Sequence, residues 1–198
     1  MGIAFEYIPG QTPLDEEEID GLLIPTITTR GELDEFEQQN IEQAILWSMQ
    51  RRVRKDQFFT ESFVREVHRR MFSEVWAWAG KFRVTNKNLG VDRLQIATQL
   101  RSLLDDTRYW VDHENYPADE IAIRFKHRLV SIHCFPNGNG RHSRLMADIV
   151  VEKLFERPVF TWGAGNLVSA GSSRTKYIQA VKAADDGDIE PLLEFARS

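Results

Sequence analysis

The segment IAIRFKHRLVSIHCFPNGNGRHSRLMADIVVEKL (121–154) decides the fold, because it predicts two amphipathic helices joined by one tight turn. Apolar residues recur at the three- and four-residue spacing of a helix on both sides of that turn. These residues are Ile121, Phe125, Leu129 and Ile132 before it, and Leu145, Met146, Ile149, Val150 and Leu154 after it. The intervening PNGNG (136–140) favours a turn, since asparagine and glycine tolerate positive φ.

Helical patterns continue outward from this pair in both directions. Thr29 followed by Glu32 matches a capping box and places a helix start near residue 30. Apolar stripes mark further helices at Ile41, Ala44 and Ile45, at Val64, Val67 and Met71, and at Ile96, Leu100, Leu103, Leu104 and Val111. Short helices are expected around 173–184 and 188–197, and only FRVTNKNLGV (82–91) has the pattern of two short strands around a turn. The sequence therefore predicts an all-α, mainly helical fold with one small β-hairpin flap.

Composition narrows the class of protein. The chain has 198 residues, 42% of them apolar, which fits one domain with a short extension. A net charge of −5 disfavours a nucleic-acid interface, whose usual footprint is basic. Cys134 is the single cysteine, and no run reaches the roughly 18 apolar residues of a membrane span. With no secretory signal at the N-terminus, we expect a cytoplasmic protein that contacts neither membrane nor nucleic acid.

The turn between the two central helices carries the residue types of a phosphate site. A glycine-containing turn before a helix points several backbone N–H groups at one place, which suits an anion. Arg141 and Arg144 add guanidinium groups that match phosphate oxygens. His133 supplies a proton acceptor at the entrance, and the helix dipole is expected to favour its protonated form. Together they predict a hydroxyl group attacking a phosphorus atom.

The same residues also have structural explanations. A histidine that ends a helix, a glycine turn and two arginines each have an ordinary structural explanation, and only their conjunction favours a site. Gly138-x-Gly140 lacks the third glycine of a dinucleotide fold and follows a helix. The chain contains no GxxxxGK[ST] loop, and its histidines lack the HExxH spacing of zinc enzymes.

The stretch HCFPNGNGRHSR (133–144) resembles the signature H-P-F-x-[D/E]-G-N-G-R-x-x-R of the Fic-domain family. It matches at His133, Phe135, Gly138, Asn139, Gly140, Arg141 and Arg144. WAWAGKFR (76–83) and YIQAVKAADDGDIEPLLEF (177–195) are similar to the segment before the family's flap and to its closing helices. The whole chain also resembles the small Fic proteins called mobile mystery protein B. The resemblance implies a Fic-like catalytic domain over 40–198, preceded by an extension over 1–39 that holds the start of a possible inhibitory helix.

The resemblance implies a protein adenylyltransferase, which moves AMP from ATP to a serine, threonine or tyrosine hydroxyl of a target protein and releases pyrophosphate. His133 would be the general base and Asn137 the metal-binding position. The nucleotide-binding residues would be Gly138, Asn139, Gly140, Arg141, Arg144 and, in the base pocket, Tyr177. The flap residues Asn88, Leu89, Gly90 and Val91 would align an extended target segment by strand addition.

Two departures from the signature bear on activity. Cys134 stands where the family has proline, and Asn137 replaces the acidic residue that holds Mg²⁺. An amide oxygen brings no charge, so Mg²⁺ would bind more weakly. One alternative is therefore a catalytically weakened nucleotide-binding or partner-binding protein of a toxin–antitoxin type module, with an antitoxin as partner. A Doc-like phosphotransferase is the other, although that branch has lysine at the position of Gly140.

A built-in inhibitor is a further expectation. Thr28 and Glu32 are similar to the [S/T]-x-x-x-E-[G/N] helix that inhibits many Fic proteins, although Leu33 departs from it. We expect Glu32 to reach Arg144, with Glu37 as the second candidate. The capping box alone would also explain Glu32.

Overall fold

Helices account for most of the chain in the computed structural model, which describes residues 13–164, 167 and 171–198. The α-helices within that part are α1 (Glu16–Ile19), α2 (Arg30–Gln50), α3 (Glu61–Phe72), α4 (Ile96–Asp112), α5 (Ala118–Ile132), α6 (Asn139–Lys153), α7 (Ser172–Asp185) and α8 (Glu190–Arg197). Short 3₁₀ turns lie at Lys55–Gln57, Arg93–Gln95 and Trp162–Ala164. The prediction of a mainly helical fold is confirmed.

Helices α5 and α6 form the central pair, and their packed faces are those that the apolar spacing predicted. Phe125 and Leu129 on α5, and Met146 and Val150 on α6, are buried in the core. Helix α2 packs on α3, α4 on α5, and α7 on α8. The turn after His133 therefore connects two helices that pack closely against each other in the core.

Helix α2 begins with the predicted capping box. Thr29 Oγ1 accepts a hydrogen bond from Glu32 N at 3.3 Å, and Glu32 Oε2 accepts one from Thr29 N at 2.9 Å. The helix then continues to Gln50 without a break, so the expected boundary between residues 39 and 40 falls inside it. Residues 1–12 of the expected extension lie outside the described residues.

The predicted β-hairpin is wrong. Residues 84–91 contain no paired strands, and in the described ranges the β-pairing is an isolated bridge between Leu22 and Trp76. The backbone at the two ends of the segment bonds to the end of α5 and the turn after it: Arg83 N donates to Cys134 O at 3.0 Å, and Val91 N to Ile132 O at 3.3 Å. Because these partners are distant in sequence, two strands paired across a local turn do not form.

No helix among the described residues is both long enough and apolar enough to cross a bilayer.

Candidate active site

The turn between α5 and α6 is shaped by two left-handed residues. His133 ends α5 at φ 58° and ψ 59°, and Gly138 precedes α6 at φ 77°. A Cβ atom at Gly138 would lie 2.5 Å from Cζ of Phe72, so the position requires glycine for its conformation and for its lack of a side chain. This close approach seats the turn on α3.

Two asparagines and a buried histidine brace the turn. Asn139 Oδ1 accepts from Phe135 N at 3.0 Å, and its Nδ2 donates to Phe135 O at 2.8 Å. His68 accepts at Nδ1 from Gly80 N, so its Nε2 carries the hydrogen and donates to Asn137 O at 3.1 Å. Burial lowers the pKa of His68 well below its usual value, which keeps this ring neutral. The side chain of Asn139, one of the expected nucleotide-binding residues, thus holds the turn's own backbone.

The imidazole of His133 lies largely buried, with Nδ1 3.2 Å from Val130 O. A carbonyl oxygen only accepts hydrogen bonds, so Nδ1 carries the hydrogen and Nε2 keeps its lone pair. Burial lowers the pKa of His133 to about 4, opposed by the Val130 carbonyl and assisted by the charges of Arg83 and Lys87. The expectation that the helix dipole favours the protonated form is wrong, because desolvation outweighs it. The ring is therefore neutral at pH 7.

A cavity of about 520 Å³ opens beside this imidazole. Its lining combines the predicted site residues His133, Asn137, Gly138, Asn139, Gly140, Arg141, Arg144, Tyr177, Leu89, Gly90 and Val91. Asn88, Glu32 and Glu37 do not line it. The structure thus brings the turn, the end of the 84–91 segment and α7 to one place.

Three cations of the cavity were missed in the sequence. Arg30 comes from the start of α2, where Nε lies 3.0 Å from Asp34 Oδ1. Arg174 and Lys182 come from α7, and Arg174 Nη1 donates to Leu167 O at 2.7 Å. None of the three stands at a defining position of a motif, so their place in the cavity follows from the fold.

The two arginines of the turn have different neighbours. Arg141 Nη1 lies 2.6 Å from Glu37 Oε2, and Glu37 Oε1 accepts from Trp76 Nε1 at 2.6 Å. The guanidinium of Arg144 lies 5.2 Å from the ring centre of Tyr177. A buried glutamate of α2 therefore holds Arg141, while Arg144 rests on an aromatic ring.

The expected contact between Glu32 and Arg144 is replaced by the capping box. Glu32 accepts hydrogen bonds from Thr28 N at 2.8 Å, from Thr29 N at 2.9 Å and from Thr28 Oγ1 at 3.1 Å. These bonds lower the pKa of Glu32 and anchor it at the helix start. Of the two glutamates considered, Glu37 is the one that meets an arginine of the turn.

Tyr177 is buried and has two cations close to its ring. The Nζ atom of Lys126, itself fully buried, lies 4.6 Å from the ring centre, and the Arg144 guanidinium lies 5.2 Å from it. Burial alone would raise the pKa of Tyr177, but the charges of Lys126 and Arg144 outweigh it and bring it to about 8. The phenol can therefore ionise close to physiological pH.

The described part of the chain does not by itself form a magnesium site. The described residues contain no cluster of three His, Cys, Asp or Glu side chains able to hold a metal. Asn137 offers one neutral oxygen, and that oxygen already accepts from Gly138 N at 2.6 Å. Since Mg²⁺ is normally held by carboxylates together with phosphates, this donor set does not fit a resident ion.

The Fic/DOC family model matches residues 58–151. Similar curated proteins include the protein adenylyltransferase Fic of Culex quinquefasciatus, 29% identical over 148 residues, and that of Aedes aegypti, 27% identical over 147 residues. Each match covers 72% of this chain but 28% of the relative, so the chain spans little more than a quarter of their length.

Solved structures share the fold. A Fic domain containing signaling protein from Bacteroides thetaiotaomicron superposes with a TM-score of 0.66 at 20% identity, covering 92% of this chain and 75% of that one. BepC of Bartonella tribocorum, solved with bound AMPPNP, gives a TM-score of 0.67 at 16% identity, with 91% and 95% coverage. The helical framework of the described residues is thus the same as in these crystal structures.

Proposed function

Because this chain belongs to the Fic/DOC family, with residues 58–151 as the matched domain, we propose that it transfers AMP from ATP to a serine, threonine or tyrosine hydroxyl of a target protein. The curated relatives carry the name protein adenylyltransferase, and BepC was solved with an ATP analogue. The observation that carries the proposal is that a neutral imidazole and a cationic turn line the same cavity.

His133 takes the proton of the attacking hydroxyl. The hydroxyl oxygen forms a bond to the α-phosphorus, the bond from that phosphorus to the bridging oxygen breaks, and pyrophosphate leaves. The proton moves to Nε2 of His133, since Nδ1 is engaged with Val130. A pKa of about 4 keeps Nε2 of His133 unprotonated at neutral pH before the reaction.

The start of α6 supplies the anion site. The first hydrogen bond of that helix runs from His142 N to Gly138 O at 2.9 Å, so the amides of Asn139, Gly140 and Arg141 have no acceptor inside the helix. These amides and the positive end of the helix suit an α- or β-phosphate. Arg144 and, from α7, Arg174 are assigned to the outer phosphates, because both arginines line the cavity.

Any Mg²⁺ would be carried chiefly by oxygens of the nucleotide, because Asn137 contributes no charge. The affinity for Mg²⁺ in the transfer reaction should consequently be low.

We assign the inhibitory role to Glu37 in preference to Glu32, because Glu37 occupies the guanidinium of Arg141 that a triphosphate would otherwise bind. Glu37→Gln should then increase the rate of AMP transfer, whereas Glu32→Gln, which changes only the helix cap, should leave the rate per folded molecule unchanged. A rate that falls in Glu37→Gln would show instead that the glutamate orients Arg141 for catalysis. The rates are measured at equal concentrations of folded protein.

Labelled nucleotide tests the proposal. ATP radiolabelled at the α-phosphate is incubated with the purified protein, Mg²⁺ or Mn²⁺ and a bacterial lysate, and label is sought on protein bands. His133→Ala should abolish the labelling, and the matched control His113→Ala, at an exposed residue outside the cavity lining, should retain it. Label that transfers only from the γ-phosphate would indicate the phosphotransferase alternative.

A protein that binds ATP in calorimetry but releases no pyrophosphate and labels no protein would instead be the nucleotide-binding member of a toxin–antitoxin type module. Its binding partner would then be an antitoxin protein rather than an enzymatic target.

A further inference from the structure

A buried arginine outside the cavity gathers three backbone carbonyls. Arg83 is only 3% exposed. Its Nε donates to His133 O at 2.6 Å, its Nη1 donates to Thr85 O at 2.8 Å, and its Nη2 donates to Val91 O. One guanidinium thus joins both ends of the 84–91 segment to the residue placed as the general base.

Main-chain bonds reinforce the same connection. Arg83 N donates to Cys134 O at 3.0 Å, and Val91 N donates to Ile132 O at 3.3 Å. A Cβ atom at Gly90, where φ is 98°, would lie 2.4 Å from Cβ of His133 and 3.0 Å from Nη2 of Arg83. The segment is therefore packed directly against His133, with no room for a side chain between them.

Arginine is suited to this position for a geometric reason. Its planar group offers five N–H donors in fixed directions, so it can reach three carbonyls that diverge from one another. The described residues give Arg83 no carboxylate partner within ion-pair distance, and burial lowers its pKa. The carbonyl bonds are what compensate the desolvation of the guanidinium, and its loss would leave three acceptors poorly satisfied.

We propose that Arg83 is a positioning residue that makes the 84–91 segment and the His133 backbone move as one unit. The role of the segment in target binding rests on the proposed function, whereas the mechanical coupling rests on the hydrogen bonds alone. Binding of a target chain along the segment would then fix the imidazole in the geometry that attack requires. Arg83 does not line the cavity, so ATP should bind equally well without it.

Three variants test the proposal: Arg83→Met removes the donors, Arg83→Lys keeps the charge but not the fork, and Arg93→Met serves as the matched control. Arg93 is exposed two residues after the segment, and its backbone N–H donates to Asn86 Oδ1 at 2.8 Å. Hydrogen exchange of the Val91 amide, which donates to Ile132 O, should accelerate at least about tenfold in Arg83→Met, less in Arg83→Lys, and remain unchanged in Arg93→Met.

Activity supplies a second readout. In Arg83→Met the KM for the target should rise and kcat should fall, with the Kd for ATP within about twofold of the wild type, because the residues that line the cavity are unchanged. In the same variant the pKa of His133, followed by NMR, should rise, since a neighbouring positive charge is lost, whereas Arg83→Lys should retain the low value.

Unchanged exchange of the Val91 amide in folded Arg83→Met would overturn the proposal, as would a loss of ATP affinity equal to the loss of transfer. If Arg83→Met does not fold, the same comparison is made between Arg83→Lys and Arg93→Met. Faster exchange in a protein whose wild type transfers no AMP would support the coupling and reject the proposed function.

Discussion

Gly138 is the position of the turn where a single methyl group should do most damage. Alanine there must adopt φ near 77°, and its Cβ would lie 2.5 Å from Cζ and 2.6 Å from Cε2 of Phe72. Phe72 is fully buried, so its ring has nowhere to retreat. Gly140, two residues later, is the natural control, because it is helical and the nearest atom to its added Cβ is Nη1 of Arg144 at 3.9 Å.

The size of the effect follows from two costs. A left-handed conformation costs a residue with a Cβ about 1–2 kcal/mol. Overpacking against a fixed ring costs about 1–3 kcal/mol more. Gly138→Ala should therefore reduce the free energy of unfolding by about 2–5 kcal/mol, a large part of the roughly 5–15 kcal/mol of a typical domain. Gly140→Ala should change it by less than about 1 kcal/mol, in the stabilising direction, because alanine is the better helix former.

Urea denaturation followed by circular dichroism measures both free energies at pH 7. Combining Gly138→Ala with Phe72→Leu should recover the overpacking part and leave the conformational part. Equal unfolding midpoints for Gly138→Ala and Gly140→Ala would refute the reasoning, because the two variants differ only in backbone conformation and in what the new methyl group meets.

Three further predictions concern protons. Asp148 accepts hydrogen bonds from Trp162 Nε1 and Phe160 N, and burial raises its pKa to about 7. The free energy of unfolding of the wild type should therefore fall as pH rises from about 4 to 7. Urea midpoints should show the stability of Asp148→Asn relative to the wild type increasing through that range and levelling off above it. Near-ultraviolet absorbance should show one tyrosine ionising near pH 8, absent in Tyr177→Phe and shifted upward in Lys126→Met, which removes a stabilising charge. Binding of a non-hydrolysable ATP analogue should raise the pKa of His133 above about 4 in NMR titrations, and an unchanged value would place the phosphates away from the ring.

The fold was predictable where it depends on local spacing. Helices α5 and α6 carry their apolar residues at three- and four-residue intervals, and their packed faces are those the spacing indicated. The predicted hairpin is wrong because the conformation of its segment depends on contacts that are distant in sequence. The ends of the 84–91 segment bond to residues 132–134 and to the side chain of Arg83, and no pattern within FRVTNKNLGV reveals partners so far along the chain.

The candidate site divides in the same way. The residues from His133 to Arg144 share one turn, so their meeting at one cavity was foreseeable from the residues themselves. Arg30 and Arg174 arrive from helices far away in sequence and stand in no motif. The predicted protonated state of His133 is wrong. The position of a helix end can be predicted from the sequence, whereas the burial that outweighs the helix dipole depends on the packed fold.

The low pKa of His133 keeps its imidazole neutral but also makes it a weak base. Burial and the positive charges of Arg83 and Lys87 hold the imidazole neutral at rest, so it is in the form that can accept a proton. A base with so low a pKa would nevertheless keep that proton poorly. A bound triphosphate would bring several negative charges into the cavity that His133 also lines, and these stabilise an imidazolium in a medium of low dielectric. The nucleotide would thereby raise the proton affinity of the base only once it is bound, which ties proton abstraction to the presence of ATP.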